Sequence, residues 1–235
     1  MKPSRWVAVP VVVLVLGPGL LVPAVRREIS ARMSTHTVQD RIVESTPRVM
    51  PLWNARIPGG ADAVQEVLLV VLKQERELRI YARLGPTPVL AATYPVLAAS
   101  GIPGPKLREG DRQVPEGFYR VSSLNPNSRF HLSLRVNYPS DEDVQAARSE
   151  GRDVSALGGD IMIHGGAKSI GCVAIGDREI EEVFWLVATV GVDRTRVMIS
   201  PGAVPAEHLP PTAPQWLQDR YARLGDQLRT LGIGG

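Results

Sequence analysis

Cysteine is almost missing from this sequence. Cys172 is the only one in 235 residues, so the chain can form no internal disulfide. A zinc site would have to be assembled from four scattered histidines and from carboxylates, and we predict neither a metal nor another cofactor. Two uses remain for Cys172, which are a small side chain filling the core and a reactive thiol.

The chain also lacks a strong excess of charge and a phosphate-binding loop. Its 27 basic and 24 acidic residues are well mixed and give a net charge of +3. Nucleic-acid binders need a basic stripe, which this balance does not supply. No Gly-x-Gly-x-x-Gly opens a helix after a strand, and there is no Walker-type loop. We therefore expect no nucleic-acid partner and no nucleotide cofactor.

An uncharged segment, Trp6 to Val25, follows Lys2 and Arg5 near the start of the chain. A helix of that length just spans the hydrocarbon core of a bilayer. The small residues around Ala24 are also typical of a signal-peptidase site. A cleaved signal peptide and a retained inner-membrane anchor both remain open, and both predict a periplasmic body.

We expect one main domain, because the chain is 44% hydrophobic and long enough to bury a core. Proline residues such as Pro47 and Pro51 are expected to break the chain before that domain begins. The predicted boundaries are a signal or anchor at 1–25, a spacer at 26–60, the main domain at 61–205, and a proline-rich loop with an amphipathic helix at 206–235.

Short apolar and alternating runs predict that the domain is built mainly from strands. The runs at 67–73 and 78–84 predict a hairpin, and 130–137 alternates strictly between apolar and polar residues. A single strand is predicted at 93–99. Two helices are predicted inside the domain, each with an Asp cap, at Asp141 and Asp177.

The last stretch of the chain predicts a docking helix. Its apolar residues recur at spacings of three and four, which places them on one face. Together these patterns predict a mainly β fold with added helices (α+β), an antiparallel sandwich or barrel. The apolar residues of the docking helix are Leu217, Tyr221, Leu224, Leu228 and Leu231.

The stretch 159–177, GDIMIHGGAKSIGCVAIGD, combines a thiol with an imidazole. A free thiol is only a few per cent thiolate at neutral pH, and His164 can act as the base that activates Cys172. Glycines allow the loop between them to turn back, and the amides of Gly171 and Cys172 can donate to an oxyanion. We expect Ser169 to bond the loop backbone.

These residues resemble a known signature. HGGAKSIGC is similar to the His-Gly to Ser-x-Gly-Cys pattern of the YkuD-type L,D-transpeptidase catalytic domain family, and its short His-to-Cys spacing resembles the YafK-like branch. Two upstream blocks, GPKLREGDRQVPEGFY at 104–119 and NPNSRFHLSLRVNYP at 125–139, resemble the same branch. The resemblance covers about 67–200.

The resemblance implies a β-rich fold and a cysteine acyl-enzyme that acts on peptidoglycan stem peptides. It implies that Cys172 is the nucleophile, His164 the general base and Gly171 the backbone that serves the oxyanion. It also implies diaminopimelate-containing substrates, with the enzyme either forming links or cutting the bond that tethers an outer-membrane lipoprotein to the wall.

This sequence departs from the wider family at two positions. Ile170 stands where that family has His, and Ala174 where it has the Arg expected to bind the substrate carboxylate. The candidates to bind substrate in its place are Lys106, Arg108, His131 and Arg135, with Gly165 and Ser169 from the loop. For each charged candidate, an ordinary solvated surface residue is the alternative.

Two other functions compete with this interpretation. The chain can be a catalytically silent wall-binding or scaffold module of the same fold. It can also be a secreted cysteine peptidase of another fold, which would need an Asn or Asp orienter that the sequence does not identify. Transferase and hydrolase also remain open, because the acyl-enzyme is common to both.

Overall fold

The computed structural model describes residues 35–234. The segment predicted as a signal or anchor lies outside them. Among residues 35–234, no helix combines the length and apolar character needed to cross a membrane.

Within this range the chain forms four α-helices and nine β-strands, joined by loops and four short 3-10 helices. In chain order the elements are α1 (Val38–Arg56), β1 (Glu66–Leu72), β2 (Glu77–Arg83), β3 (Pro88–Pro95), β4 (Ala98–Ala99), β5 (Gly117–Ser128), β6 (His131–Val136), α2 (Asp141–Ser149), β7 (Met162–His164), β8 (Val173–Ala174), α3 (Asp177–Val190), β9 (Thr195–Ser200) and α4 (Gln215–Thr230).

The strands form one mixed sheet in the order β3-β2-β1-β9-β5-β6-β7-β8-β4. Six strand pairs are antiparallel. The pairs β1–β9 and β7–β8 are parallel. The predicted α+β class is confirmed, but the sheet is not antiparallel throughout. Strands such as β1 and β9 are buried on both faces, so their sequences carry no alternation from which direction could be inferred.

The two ends of the sheet lie close together. β3 and β4 are the two terminal strands of the order, yet only Val96 and Leu97 separate them in the chain. Three peptide steps span at most about 11 Å, so the sheet curls round like a barrel. The single strand predicted at 93–99 is therefore wrong, because this run leaves one edge and joins the other.

Two cores lie on opposite faces of the sheet. The larger contains Leu69, Val71 and Ile163 with the buried face of α3, and Trp53 of α1 belongs to it. The smaller contains Val70 and other residues of β1 and β9 with the apolar face of α4. The predicted docking helix is thus packed on the face opposite to α3, because neighbouring strand residues point to opposite faces.

The segment predicted as a spacer contains a long helix. α1 continues through Pro47 and Pro51, although proline removes a backbone donor from the helix ladder. Its start is fixed by a capping box between Thr37 and Asp40. Trp53 is fully buried and donates from Nε1 to the Glu182 carbonyl at 2.9 Å. Tertiary packing therefore outweighs the helix-breaking effect that the prolines predict.

Neither predicted Asp is the N-cap of its helix. Ser140 caps α2, in a capping box with Asp143. Gly176 precedes α3, and Asp177 is the first helical residue. The Asp177 carboxylate instead accepts the Gly166 N–H at 2.7 Å. The start of α3 thereby holds the loop that follows β7.

Candidate active site

The parallel pair β7–β8 brings Cys172 beside the strand that carries His164. Ile163 is opposite Val173 in the register, so Cys172, just before β8, lies next to Met162. Because side chains alternate along a strand, Cys172, Met162 and His164 share one face of the sheet. That face is opposite to the larger core, to which Ile163 and Val173 belong. The loop thus returns the thiol to the strand next to the one that carries the imidazole, on the same face.

His164 is held in one tautomer. Its Nδ1 lies 2.6 Å from the Gly165 carbonyl oxygen, which can only accept, so Nδ1 carries the proton and Nε2 keeps its lone pair. The Phe130 ring stacks on the imidazole, with centroids 4.6 Å apart and planes 25° apart. Burial lowers the pKa of His164, against the smaller opposite effect of the Gly165 carbonyl. The ring is therefore a neutral base at neutral pH.

The Cys172 thiol is partly buried and donates to the Asp160 carbonyl oxygen, with Sγ and O 3.6 Å apart. Burial raises the pKa of the thiol, and the Asp160 carboxylate adds to that effect. The Met162 backbone and the Lys106 ammonium act in the opposite direction. Among the hydrogen bonds of residues 35–234, none joins Sγ to the His164 ring. At rest, the site holds a neutral thiol.

Two glycines of the loop are required by geometry. A Cβ on Gly165 would lie 2.6 Å from both the Phe130 carbonyl oxygen and the Asp177 carboxylate. Gly171 has a φ of +105°, in the left-handed region that side chains rarely adopt. Gly165 allows close packing against Phe130 and Asp177, and Gly171 allows the turn into Cys172.

Two serines hold the end of the loop. Ser169 Oγ donates to the Cys172 carbonyl at 2.6 Å, so the expected bond to the loop backbone is present. Ser100 accepts the Gly171 N–H on its hydroxyl and donates its own N–H to Ser169 Oγ at 3.3 Å. The Gly171 amide, predicted to serve an oxyanion, is thus bonded to a hydroxyl in this state.

Three basic candidates differ in their surroundings. Lys106 is buried and donates to Asp111 at 2.6 Å and to the Arg108 carbonyl at 2.8 Å, so its ammonium is engaged inside the protein. Arg108 has an exposed side chain. Arg135 is opposite Met162 in the β6–β7 register and pairs with Asp160 at 2.6 Å. Arg135 therefore lies on the sheet face of the thiol, with Met162 between them, and its partner Asp160 is the residue whose carbonyl accepts from the thiol.

His131 does not join this group. Its Nε2 lies 2.6 Å from the Glu181 carboxylate on α3, and Arg48 of α1 pairs with the same carboxylate. A φ of +71° at His131 interrupts the alternation that placed it on the polar face of β6. The structure therefore places this histidine among α1 and α3.

Sequence reasoning missed three contributors to the site. Phe130 fits the apolar positions of the alternating run 130–137, which predicts a core residue, but it is 42% exposed and stacks on His164. Ser100 is 71 positions from Gly171, a separation at which no local pattern signals contact. Asp160 was assigned no role. No group of three or more His, Cys, Asp or Glu residues within 35–234 is arranged to hold a metal ion.

The fold and site define an α+β protein with a thiol and an imidazole on one sheet face. A family model described as the L,D-transpeptidase catalytic domain, YkuD, matches residues 65–199. The chain belongs to this family, as the sequence resemblance predicted.

Named relatives agree with this membership. The chain is 37% identical over 123 residues to the Escherichia coli (strain K12) protein called "Putative L,D-transpeptidase YafK", covering 52% of this chain and 47% of that protein. The Escherichia coli O157:H7 protein of the same name matches equally. The chain spans about half the length of the curated relatives that it matches.

Solved structures also show similarity. The helical cell shape determining protein Pgp2 from Campylobacter jejuni is 22% identical, with a TM-score of 0.47, over 69% of this chain and 54% of that chain. Bd1075 from Bdellovibrio bacteriovorus is 19% identical, with a TM-score of 0.42, over 72% of this chain and 57% of that chain.

Proposed function

We propose that this chain is a cysteine acyltransferase that acts on peptidoglycan stem peptides through an acyl-enzyme on Cys172. Membership of the family supports the substrate class. The single observation that carries the chemistry is the β7–β8 register, which places Cys172 on the face of His164. A basic Nε2 lone pair, fixed by the bond from Nδ1 to Gly165, supplies the matching base.

The first half of the reaction forms a thioester. His164 Nε2 takes the proton from Cys172 Sγ, and the thiolate attacks the carbonyl carbon of the scissile amide. The tetrahedral intermediate collapses, the C–N bond breaks, and the imidazolium gives its proton to the leaving amine. For this step, the thiol must exchange the Asp160 carbonyl for the imidazole as its partner.

The second half regenerates the thiol. An acceptor amine or water attacks the thioester carbonyl while His164 takes its proton, and Cys172 leaves and is reprotonated. Because the pKa of His164 is lowered and that of Cys172 is raised, both groups rest neutral. Charge therefore develops when a substrate carbonyl is present to receive the thiolate.

Backbone amides stabilise the oxyanion in this scheme. The Cys172 N–H is one donor, and the Gly171 N–H becomes a second when it exchanges the Ser100 hydroxyl for the oxyanion. Ser169 holds the Cys172 carbonyl and so orients the peptide plane after the nucleophile.

Substrate binding falls to Arg135 rather than to the other basic candidates. Its guanidinium is about half exposed and pairs with Asp160, whose backbone carbonyl accepts from the thiol, so it can exchange Asp160 for a substrate carboxylate. The engaged ammonium of Lys106 contributes positive potential to Cys172 instead. Diaminopimelate-containing stem peptides are the proposed substrates, and the link from a wall-bound lipoprotein is a further one.

We place the domain at 61–205 in the periplasm, with residues 6–25 as signal or inner-membrane anchor. The uncharged run after Lys2 and Arg5 supports this location. The helix α4 packs on this domain as the predicted docking helix.

A silent wall-binding module is the second candidate. The observation in its favour is that the thiol bonds to the Asp160 carbonyl and has a raised pKa. Such a module would bind sacculi but leave their links unchanged.

The test uses the full chain incubated with purified sacculi and analyses muropeptides by mass spectrometry. Changed cross-links or released lipoprotein are expected with the parent, and neither with Cys172→Ala or His164→Ala. Val43→Ala, an exposed change on α1, is the matched control and acts like the parent. Binding of the parent to sacculi without any change in muropeptides contradicts the enzyme and supports the module.

A further inference from the structure

A fully buried carboxylate lies between α4 and the segment that leads to the site. Glu116 accepts a hydrogen bond from the Tyr221 hydroxyl on one oxygen. Its other oxygen accepts from Lys73 Nζ at 2.8 Å and from the Gly104 N–H at 2.7 Å. The Glu116 backbone carbonyl accepts from Arg220 at 2.9 Å. Two neighbouring residues of α4 thus fix both ends of Glu116.

The bonds continue from this carboxylate to the loop of the thiol. Lys73 Nζ also donates to the carbonyls of Gly104 and Val114, each at 3.1 Å. The Val114 N–H donates to the Ser100 carbonyl at 3.4 Å. Ser100 in turn accepts the N–H of Gly171. Every one of these hydrogen bonds has at least one partner in 100–116, so this segment connects α4 with Gly171, the residue before Cys172.

A group in this network that loses its hydrogen-bond partner is buried and cannot turn to water instead. Lys73 and Glu116 form a buried ion pair with side chains 4% and 0% exposed. Without the Tyr221 hydroxyl, one buried oxygen of Glu116 loses its donor, which favours rearrangement of the surrounding backbone to supply another. The backbone available to rearrange is the 104–114 segment, because it supplies the other partners of the pair.

The site and α4 also lie on the same side of the sheet. Cys172 shares the face opposite to α3, and α4 packs on that face of β1 and β9. The 100–116 segment joins the site and α4 through the hydrogen bonds described above. A displacement at Tyr221 therefore has a direct route to the loop.

We infer that Tyr221 and Arg220 are positioning residues for the Cys172 loop, acting through Glu116 and Ser100. Their catalytic consequence depends on the proposed function. Their effect on the loop itself does not, because it can be measured on the thiol.

The test measures alkylation of Cys172 by iodoacetamide in the full-length protein, and the single cysteine makes the reaction site-specific. Tyr221→Phe removes only the hydroxyl and is expected to loosen the loop. Because burial raises the pKa of this thiol, loosening lowers the pKa and speeds alkylation at pH 7. A fall of half a pKa unit gives about a threefold rise in rate. Arg220→Lys is expected to act in the same direction.

The matched control is Leu228→Val, a fully buried change in α4 with no bond to Glu116. It is expected to lower the melting temperature but to leave alkylation of the folded protein at the parent rate. Equal acceleration in this variant overturns the inference, because it shows a general loss of stability. A parent-like rate in both Tyr221→Phe and Arg220→Lys overturns it as well.

A double-mutant cycle gives a readout that a merely structural role would not move. Tyr221 and Ser100 act on one route here, so Tyr221→Phe and Ser100→Ala are expected to be non-additive in alkylation rate. Additive effects contradict the route. In an active parent, Tyr221→Phe is also expected to lower kcat with little change in KM.

The two proposals fail separately. A parent that leaves muropeptides unchanged but shows the alkylation pattern contradicts the proposed function alone. An active parent whose alkylation is indifferent to Tyr221 and Arg220 contradicts the positioning inference alone.

Discussion

The Phe130 ring covers the imidazole of His164, with ring centroids 4.6 Å apart. This contact helps to make His164 98% buried and so favours the neutral imidazole. His164 is thereby ready to accept a proton at neutral pH, although nothing in its sequence neighbourhood required an aromatic cover.

Phe130→Ala is expected to raise the pKa of His164 towards its ordinary value of 6.5, because water reaches the ring. A base that titrates at higher pH moves the acid limb of the kcat/KM profile to higher pH. Titration of His164 followed by NMR gives the same shift directly. Phe130→Leu keeps apolar cover and is the control. An unchanged His164 pKa in the alanine variant would show that Phe130 does not set it.

Gly165→Ala is expected to destabilise the fold, because the new Cβ would lie 2.6 Å from the Phe130 carbonyl oxygen. A backbone atom cannot turn away, so the free energy of unfolding falls by about 1–3 kcal/mol, as in other overpacked sites. Gly85→Ala is the matched control, since a Cβ there meets nothing within 4 Å. Denaturant unfolding measures both. Equal stabilities in the two variants would contradict the close packing of Gly165 against the Phe130 carbonyl.

The sequence predicted those elements whose apolar residues recur at a regular spacing. The hairpin β1–β2 and the apolar stripe of α4 are observed, whereas the alternation predicted for 130–137 holds only in part, because Phe130 is exposed and Ser133 is buried. The parallel partners of β1 and β7 were not predicted, because pairing direction follows from the path of the chain rather than from side-chain period.

For the candidate site, too, the sequence shows only what is close along the chain. His164, Ser169 and Cys172 lie within one stretch of nine residues, so the sequence alone groups them. Ser100 and Asp160 reach that loop through tertiary structure, and the donor to Glu116 comes from α4. Spacing along a chain carries no information on such contacts.

The raised pKa of Cys172 also predicts a pH dependence of stability. A thiol whose pKa is higher in the folded protein than its ordinary 9.0 keeps its proton longer when folded. Its contribution to stability is present below about pH 9 and is lost as pH rises towards the folded pKa. The free energy of unfolding of the parent minus that of Cys172→Ser is therefore expected to stay level to about pH 8 and then to fall, by at most about 1.4 kcal/mol per pH unit. A difference that rises above pH 9 would contradict the burial of the thiol.

Arg135→Ala is expected to weaken substrate binding more than Arg108→Ala does, because Arg135 lies opposite Met162 on the sheet face of the thiol, whereas Arg108 lies outside the sheet. Loss of a charge-assisted bond to a substrate carboxylate raises KM by about tenfold or more, with a smaller effect on kcat. Arg108→Ala removes an equal charge at an exposed position and is expected to change KM by less than about twofold. Steady-state kinetics on a stem peptide, and on the same peptide with its carboxylate amidated, separate charge from size. If Arg135→Ala raises KM for the amidated peptide as much as for the free acid, Arg135 does not bind the carboxylate. The role of the family Arg, which Ala174 replaces here, then belongs to another residue.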